Sequence, residues 1–412
     1  MTPAESLASR GRIFSWTLFD FANTAFYVLI LTVGYPLYFK KIVAGSTTHG
    51  DALWGLSFSV SMLFVAVLSP VLGAVADYGA GKKRFLGLFT ALCVVSTAGL
   101  FFVEESMIVP GIALLILANI GFEAGLVFYD SFLPEITTER SYGRVSGYGF
   151  AMGYVGSLLT LIIALPLYQG GFGPENLGNV RLSFLLAAGM FLTFSLPLFL
   201  FVPDRQRHAP LKFNFLAIGL DRIRSTFREF SKYKSVARFL LAYFLYIDAV
   251  NTIIIFSSIF ADETLKLGVE EIILFFAVVQ SSAVAGSLLF GVLADKIGHK
   301  RSLIISLFLW LVILVLAYFV VDKIAFFGVG ILAGVALGSS QSASRSLMTS
   351  LVPPEKKTEF FGFYSFFGKA SAIIGPALFG VVSSTVNQRA ALLSVSVLLI
   401  AGLILLRRVE SR

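Results

Sequence analysis

Polar residues in this chain are confined to short breaks between apolar runs, and each run is long enough to cross a bilayer as a helix, which takes about twenty residues. With 57% hydrophobic and only 14% charged residues, such a chain cannot be kept in water. It is expected to be an all-α, multi-pass integral membrane protein. Its 412 residues accommodate twelve spans with short loops and leave no room for a soluble catalytic domain, so no enzyme is expected. The spans are expected at 14–39, 52–76, 85–103, 107–130, 143–168 and 182–202, then at 237–260, 270–294, 302–321, 324–350, 360–385 and 387–406. They form a six-helix bundle over 1–202, a polar linker over 203–236 and a second six-helix bundle over 237–412. The opening MTPAESLASRGR is short and polar, and the first apolar run is too long for a cleavable leader, so helix 1 is expected to be retained.

Two of the polar breaks are near copies. GAVADYGAGKKR at Gly73 to Arg84 and GVLADKIGHKR at Gly291 to Arg301 put Asp77 and Asp295 at corresponding places in the two halves of the chain, as expected of a duplicated half-protein. Each reads as a tight turn between consecutive helices. Small residues such as Gly73 and Gly291 let the first helix pack closely, Gly298 relaxes the backbone, and the basic cluster stays on the cytoplasmic side. The first copy has one extra residue between its Asp and its final Arg. These residues resemble the loop signature of the major facilitator superfamily, which lies there between helices 2 and 3 and again between helices 8 and 9. The resemblance implies the twelve-helix, two-bundle fold, with Asp77 capping the start of helix 5 and pairing with Arg144. It implies the same role for Asp295 at helix 11, more weakly, because Phe363 stands there in place of an arginine.

The helices repeat as well. Asp20 and Asn23 in FDFANTAF are echoed by Asp248 and Asn251 in YIDAVNTI, at identical spacing and each followed by Thr. Around helix 5, Pro134, Gly143, Gly149 and Gly156 reappear in the second half, with their spacing unchanged, as Pro353, Gly362, Gly368 and Gly375. Parallel six-helix repeats imply bundles related by an axis along the membrane normal, with a small-molecule substrate held between them.

Lysine and arginine counts orient the chain. With the N-terminus inside, most basic residues fall on the cytoplasmic side and only Lys40, Lys41, Arg181, Lys266, Lys323 and Arg389 outside, as the positive-inside rule requires. Both termini are therefore expected in the cytoplasm of a bacterial cell, the chain lying in its inner membrane. The same asymmetry accounts for the net charge of +8 without a nucleic-acid partner. In the linker, Leu216, Leu220, Ile223, Phe227 and Phe230 recur at helical spacing opposite charged residues, the pattern of an amphipathic surface helix, either a strap or a regulatory element.

Function in such a chain resides on ionisable residues that a bilayer excludes unless they face a cavity or a partner. Asp20, Asn23 and Tyr27 share one face of helix 1, and Asn119, Glu123 and Asp130 one stripe of helix 4. Gln341 is the counterpart of Glu123 in the repeat and stands one turn from Arg345 on helix 10, while Gln280 lies in helix 8 and Lys369 in helix 11. Asp248 and Glu123 are read either as proton-binding carboxylates or as fixed partners of Arg345 or Lys369. Asp20, nearer the cytoplasmic end, leans structural. Arg345 and Lys369 suit a substrate carboxylate or phosphate equally well.

Glycines 330, 334 and 338 on helix 10, and 149 and 153 on helix 5, mark close helix packing. Cys93 lies inside an apolar run, the three histidines (His49, His208, His299) are in loops, and no nucleotide-binding GxxxxGK[ST] occurs. Neither a metal nor a cofactor is expected, and ATP-driven transport is excluded. The FDFANTAF stretch with Tyr35-Pro36, supported by GFEAGLVFYDSFLPEI at Gly121 to Ile136, resembles the superfamily branch of fungal autophagy-related vacuolar amino-acid effluxers and bacterial permeases. It implies efflux of amino acids or related small solutes. The expectation is a monomeric secondary transporter working by alternating access, with protons as the coupling ion. The alternatives are a lysolipid or amphiphile flippase and a membrane sensor that no longer transports.

Overall fold

The computed structural model describes residues 3–45, 50–77, 81–204, 224–225, 230–263, 265–267, 269–371 and 374–410. Among them, twelve helices are long and apolar enough to cross a membrane. They are α1 (Arg10–Val43), α2 (Leu53–Val75), α3 (Lys82–Phe102), α4 (Ile108–Ile136), α5 (Glu139–Tyr168) and α6 (Pro174–Phe201). The second set is α7 (Lys234–Ser257), α8 (Leu274–Ile297), α9 (His299–Phe319), α10 (Lys323–Leu351), α11 (Lys357–Thr385) and α12 (Gln388–Arg407). The amphipathic stripe of the linker from Leu216 to Phe227 lies outside the described residues; Phe230 opens a short 3-10 turn leading into α7.

Contacts divide the chain into two units, one of Met1–Phe132 with Met152–Gly219, the other of Leu133–Ala151 with Leu220–Arg412. In the first unit α1 packs on α6, and α4 on both α2 and α3; in the second α7 packs on α12, and α10 on both α8 and α9. The pairing scheme is thus the same in both units. Small residues set the distances. A Cβ on Gly121 of α4 would lie 2.6 Å from the Cys93 amide of α3, and one on Gly338 of α10 would lie 2.8 Å from the Ser287 amide of α8. Gly330 and Gly334 meet Phe275 and Val279 in the same way, so the glycine face of α10 is a packing face.

The two motif turns end on the same kind of glycine. Gly81 and Gly298, each just before a Lys/His-Lys-Arg run, have φ of 80° and 97°, which a side chain disfavours. Just beyond each, a lysine repeats one task. Lys83 Nζ donates to the Val202 carbonyl at 2.6 Å, and Lys300 Nζ to the Arg407 and Val409 carbonyls at 2.8 and 2.6 Å. In both units a motif lysine therefore sits at the C-terminal end of the sixth helix, where the last carbonyls lack helical partners and the dipole favours a cation.

Candidate functional site

Residues 133–151, assigned by sequence to the N-terminal bundle, cluster with the second unit for a reason visible in their side chains. Gly143 and Gly147, at the start of α5, face Gly291 and Ser287 of α8; a Cβ on Gly147 would lie 3.2 Å from the Cα of Gly291. That approach brings the Asp295 carboxylate to the first amides of α5. It accepts from the Gly143 and Arg144 backbones at 2.8 and 3.1 Å, and from Arg144 Nε at 3.2 Å. An acceptor there satisfies orphan helix donors and complements the dipole. The expected pairing is thereby corrected: the partner of Arg144 is Asp295, and Asp295 caps helix 5, not helix 11.

Arg345 holds the same segment from α10. It is fully buried, donates from Nε to Ser146 Oγ at 3.0 Å and from Nη2 to the Ser146 carbonyl at 2.8 Å, and lies 4.0 Å over the Phe150 ring. The Ser146 hydroxyl in turn donates to the Ser342 carbonyl at 2.9 Å. A planar guanidinium can fork to two oxygens and stack at once.

Asp248 lies among the most deeply placed carboxylates of the described set, with no exposed surface. It makes no ion pair among the described residues, so neither Arg345 nor Lys369 is its partner. Its Oδ2 accepts the Gly375 amide at 2.7 Å, with the Ile374 backbone beside it, while Oδ1 has no hydrogen-bond partner among the described residues. The described residues of α11 fall into Lys357–Ala370 and Ile374–Thr385, and this amide lies at the start of the second stretch. Pro376 lies just inside the second stretch, where it offers no backbone donor. Gly375 must be glycine, since a Cβ would lie 2.8 Å from Asp248 Oδ1.

The matching place in the first unit is built differently. Gly156, the repeat of Gly375, packs on Phe21 and Thr24, but Ser157 follows it where Pro376 follows Gly375, and the helix runs unbroken from Tyr142 to Tyr168. Asp20 instead accepts from the Tyr129 hydroxyl at 2.7 Å, and Tyr129 stacks on Trp16 at 4.6 Å. Leu347 occupies the position of the repeat that corresponds to Tyr129, so Asp248 has no phenol to turn to.

Of the remaining sequence candidates, Asn23 is buried, Tyr27 is half-exposed, and Asn119 donates to Ser61 Oγ at 2.7 Å. Glu123 is half-buried near Tyr27. Asn251, Gln280 and Gln341 are half-buried, and Lys369 Nζ donates to Ser365 Oγ at 2.6 Å. Gly73 and Asp77 lie at the end of the second span, and Arg84 and Arg301 are exposed. Lys83, Lys300, Gly81, Ser146, Phe150 and Pro376 carry parts of these arrangements without having been singled out by sequence. For Lys83 and Lys300 the signal was their shared place in the two motif copies; for Pro376 it was the Gly-Pro step where the repeat has Gly-Ser.

Twelve membrane helices in two matched sets, with carboxylates and amides buried at mid-helix, define a membrane transporter of the major facilitator fold. The solved proton:xylose symporter XylE shares that fold, with a TM-score of 0.76 over 98% of this chain and 95% of its own, at 13% identity. The chain belongs to the family described as "Vacuole effluxer Atg22 like", whose model matches residues 43–412. The uncharacterized MFS-type transporter YxiO of Bacillus subtilis is 33% identical over 401 residues, covering 95% of this chain and 93% of its own length. Autophagy-related protein 22 of Pichia angusta is 25% identical over 385 residues, covering 79% and 69%.

Proposed function

We propose that the protein exports a small solute, an amino acid or a similar molecule, by proton-coupled alternating access. The observation that carries the coupling is Asp248: a buried carboxylate with one oxygen on the start of the second stretch of α11 and the other unpartnered among the described residues. An ionised carboxylate holds that helix end through charge-assisted bonds. A protonated one holds it less well, so proton binding and the junction of α11 are thermodynamically linked. Membership of an effluxer family supports the direction of transport. Positive-inside counting supports a bacterial inner-membrane protein with both termini in the cytoplasm, which puts the Asp295 cap on the cytoplasmic side, where it acts as a latch.

The test is flux. Purified protein in vesicles loaded with a mixture of amino acids should release a subset of them faster than protein-free vesicles do, and faster still under a pH gradient. Release of lysolipid but of no amino acid would replace this reading with that of an amphiphile flippase.

A further inference from the structure

We propose that His299 is a proton-operated release for the start of α5: when neutral, its ring closes the contact between the α8–α9 turn and α5, and when protonated, it opens that contact. From the transporter reading the proposal takes only the placement of this contact on the cytoplasmic side, which makes cytoplasmic acidity the signal.

The two motif copies place different groups at one position. His299 follows Gly298 in GVLADKIGHKR as Lys82 follows Gly81 in GAVADYGAGKKR, so the two residues correspond. Lys82 is 7% exposed; its Nζ donates to the Ser131 carbonyl at 3.2 Å and lies 5.9 Å from the Phe132 ring centre. A carbonyl and an aromatic face suit a permanent cation. His299 meets partners of the same kind: the Glu139 backbone, which hydrogen-bonds to the imidazole, and the Tyr142 ring, whose centre is 6.4 Å away. Both partners belong to the opening turns of α5. Only the second half therefore carries a group at this place that can gain or lose its charge near neutral pH.

The imidazole also differs from the ammonium in what it leaves unmet. Its Nδ1 is enclosed and has no hydrogen-bond partner among the described residues. In the neutral ring a spare acceptor is a modest cost; in the imidazolium the same atom becomes part of a charged donor set with an N–H that finds no acceptor, which costs more. The charged groups around the ring do not supply one. From α8, the Asp295 carboxylate acts on it electrostatically, but both oxygens are already taken by Gly143 and Arg144. From α5, the Glu139 carboxylate is exposed, so water weakens its pull, and the Tyr142 phenol stays neutral through the range in which imidazole titrates. On its own helix, Lys300 and Arg301 carry the same sign of charge as the imidazolium.

The way the turn is held decides which side gives. Gly298 fixes the approach with φ of 97°, and Lys300 Nζ ties the turn to the Arg407 and Val409 carbonyls at the end of α12. The contact with Glu139 and Tyr142 is the side that yields. Its loss draws the first amides of α5 away from Asp295, so one proton undoes the cap along with the ring contact.

The test uses the full chain in detergent, with spin labels on Arg140→Cys and Lys296→Cys, exposed positions on either side of the contact; the native Cys93 is buried. Between about pH 8 and about pH 5.5, the ratio of short to long label distances should fall about tenfold, within what a single proton site allows. His299→Gln keeps an amide donor for the Glu139 carbonyl and cannot titrate, so its ratio should change less than about twofold over the same range. His299→Asn carries the same test should His299→Gln fail to fold. The proposal is overturned if the wild-type ratio is indifferent to pH, if it rises on acidification, or if His299→Gln responds as the wild type does, which would assign the titration to Asp295 or Glu139. Neither solute nor sidedness enters this measurement. An indifferent ratio in a protein that transports removes the release and leaves the transporter reading standing, whereas absence of all flux removes the transporter reading and leaves the release standing.

Discussion

The Asp248 carboxylate accepts the Gly375 amide at 2.7 Å at the start of the second stretch of α11. If Pro376 is what frees that amide, the two residues are coupled. Asp248→Ala in the wild type should lower stability by about 1–2 kcal/mol through loss of the cap. In a Pro376→Ser background, where the helix can continue as it does through Ser157, the same change should cost clearly less. Thermal unfolding of the four proteins measures the cycle, and additive losses would contradict the link.

Asp295 and Arg144 share a contact but not its weight. Asp295 serves two backbone amides of α5 and its side chain is 6% exposed, while that of Arg144 is 46% exposed. Asp295→Ala should therefore cost about 1–2 kcal/mol as a lost cap, and Arg144→Ala less than about 0.5 kcal/mol as a lost surface pair. Asp295→Asn, which keeps an acceptor, should fall between. Thermal shifts in the reverse order would mean that the ion pair, not the cap, fixes this contact.

Arg345 fixes the first turns of α5 by forking to Ser146 and covering Phe150. Lysine keeps the charge but loses the fork and the stacking plane. Arg345→Lys should raise hydrogen exchange of amides 142–151 by about tenfold, the equivalent of about 1.4 kcal/mol. Unchanged exchange there would show that the charge alone suffices.

Much of the scaffold was legible because membrane physics leaves few choices: apolar runs of about twenty residues must be helices, and a duplicated Asp-Gly-basic turn must be a duplicated loop. Partner choice was not legible. Asp295 reaches Gly143 because Gly147 and Gly291 permit two helices to touch, a tertiary fact that neither sequence window contains. The Gly375-Pro376 step stands where the first half has Gly156-Ser157, a difference that only a residue-by-residue comparison of the two halves exposes. The π-helical turn at Tyr27 left no such mark, since YVLILT is an ordinary apolar string.

The charge count predicts the topology. A cysteine introduced in the 203–235 linker should be unreactive to an impermeant thiol reagent added to intact cells, and reactive once the cells are opened. Labelling from outside would reverse the orientation and move the Asp295 cap to the other face.

Coupling through Asp248 is the central claim, and one preparation tests it. Asp248→Asn keeps an acceptor for Gly375 but cannot exchange a proton. In vesicles with the exported solute on both sides, the variant should still exchange labelled for unlabelled solute at a rate within about tenfold of the wild type. Under a pH gradient alone, the wild type should accumulate solute and the variant should not. Accumulation by Asp248→Asn driven by the pH gradient alone would contradict the account.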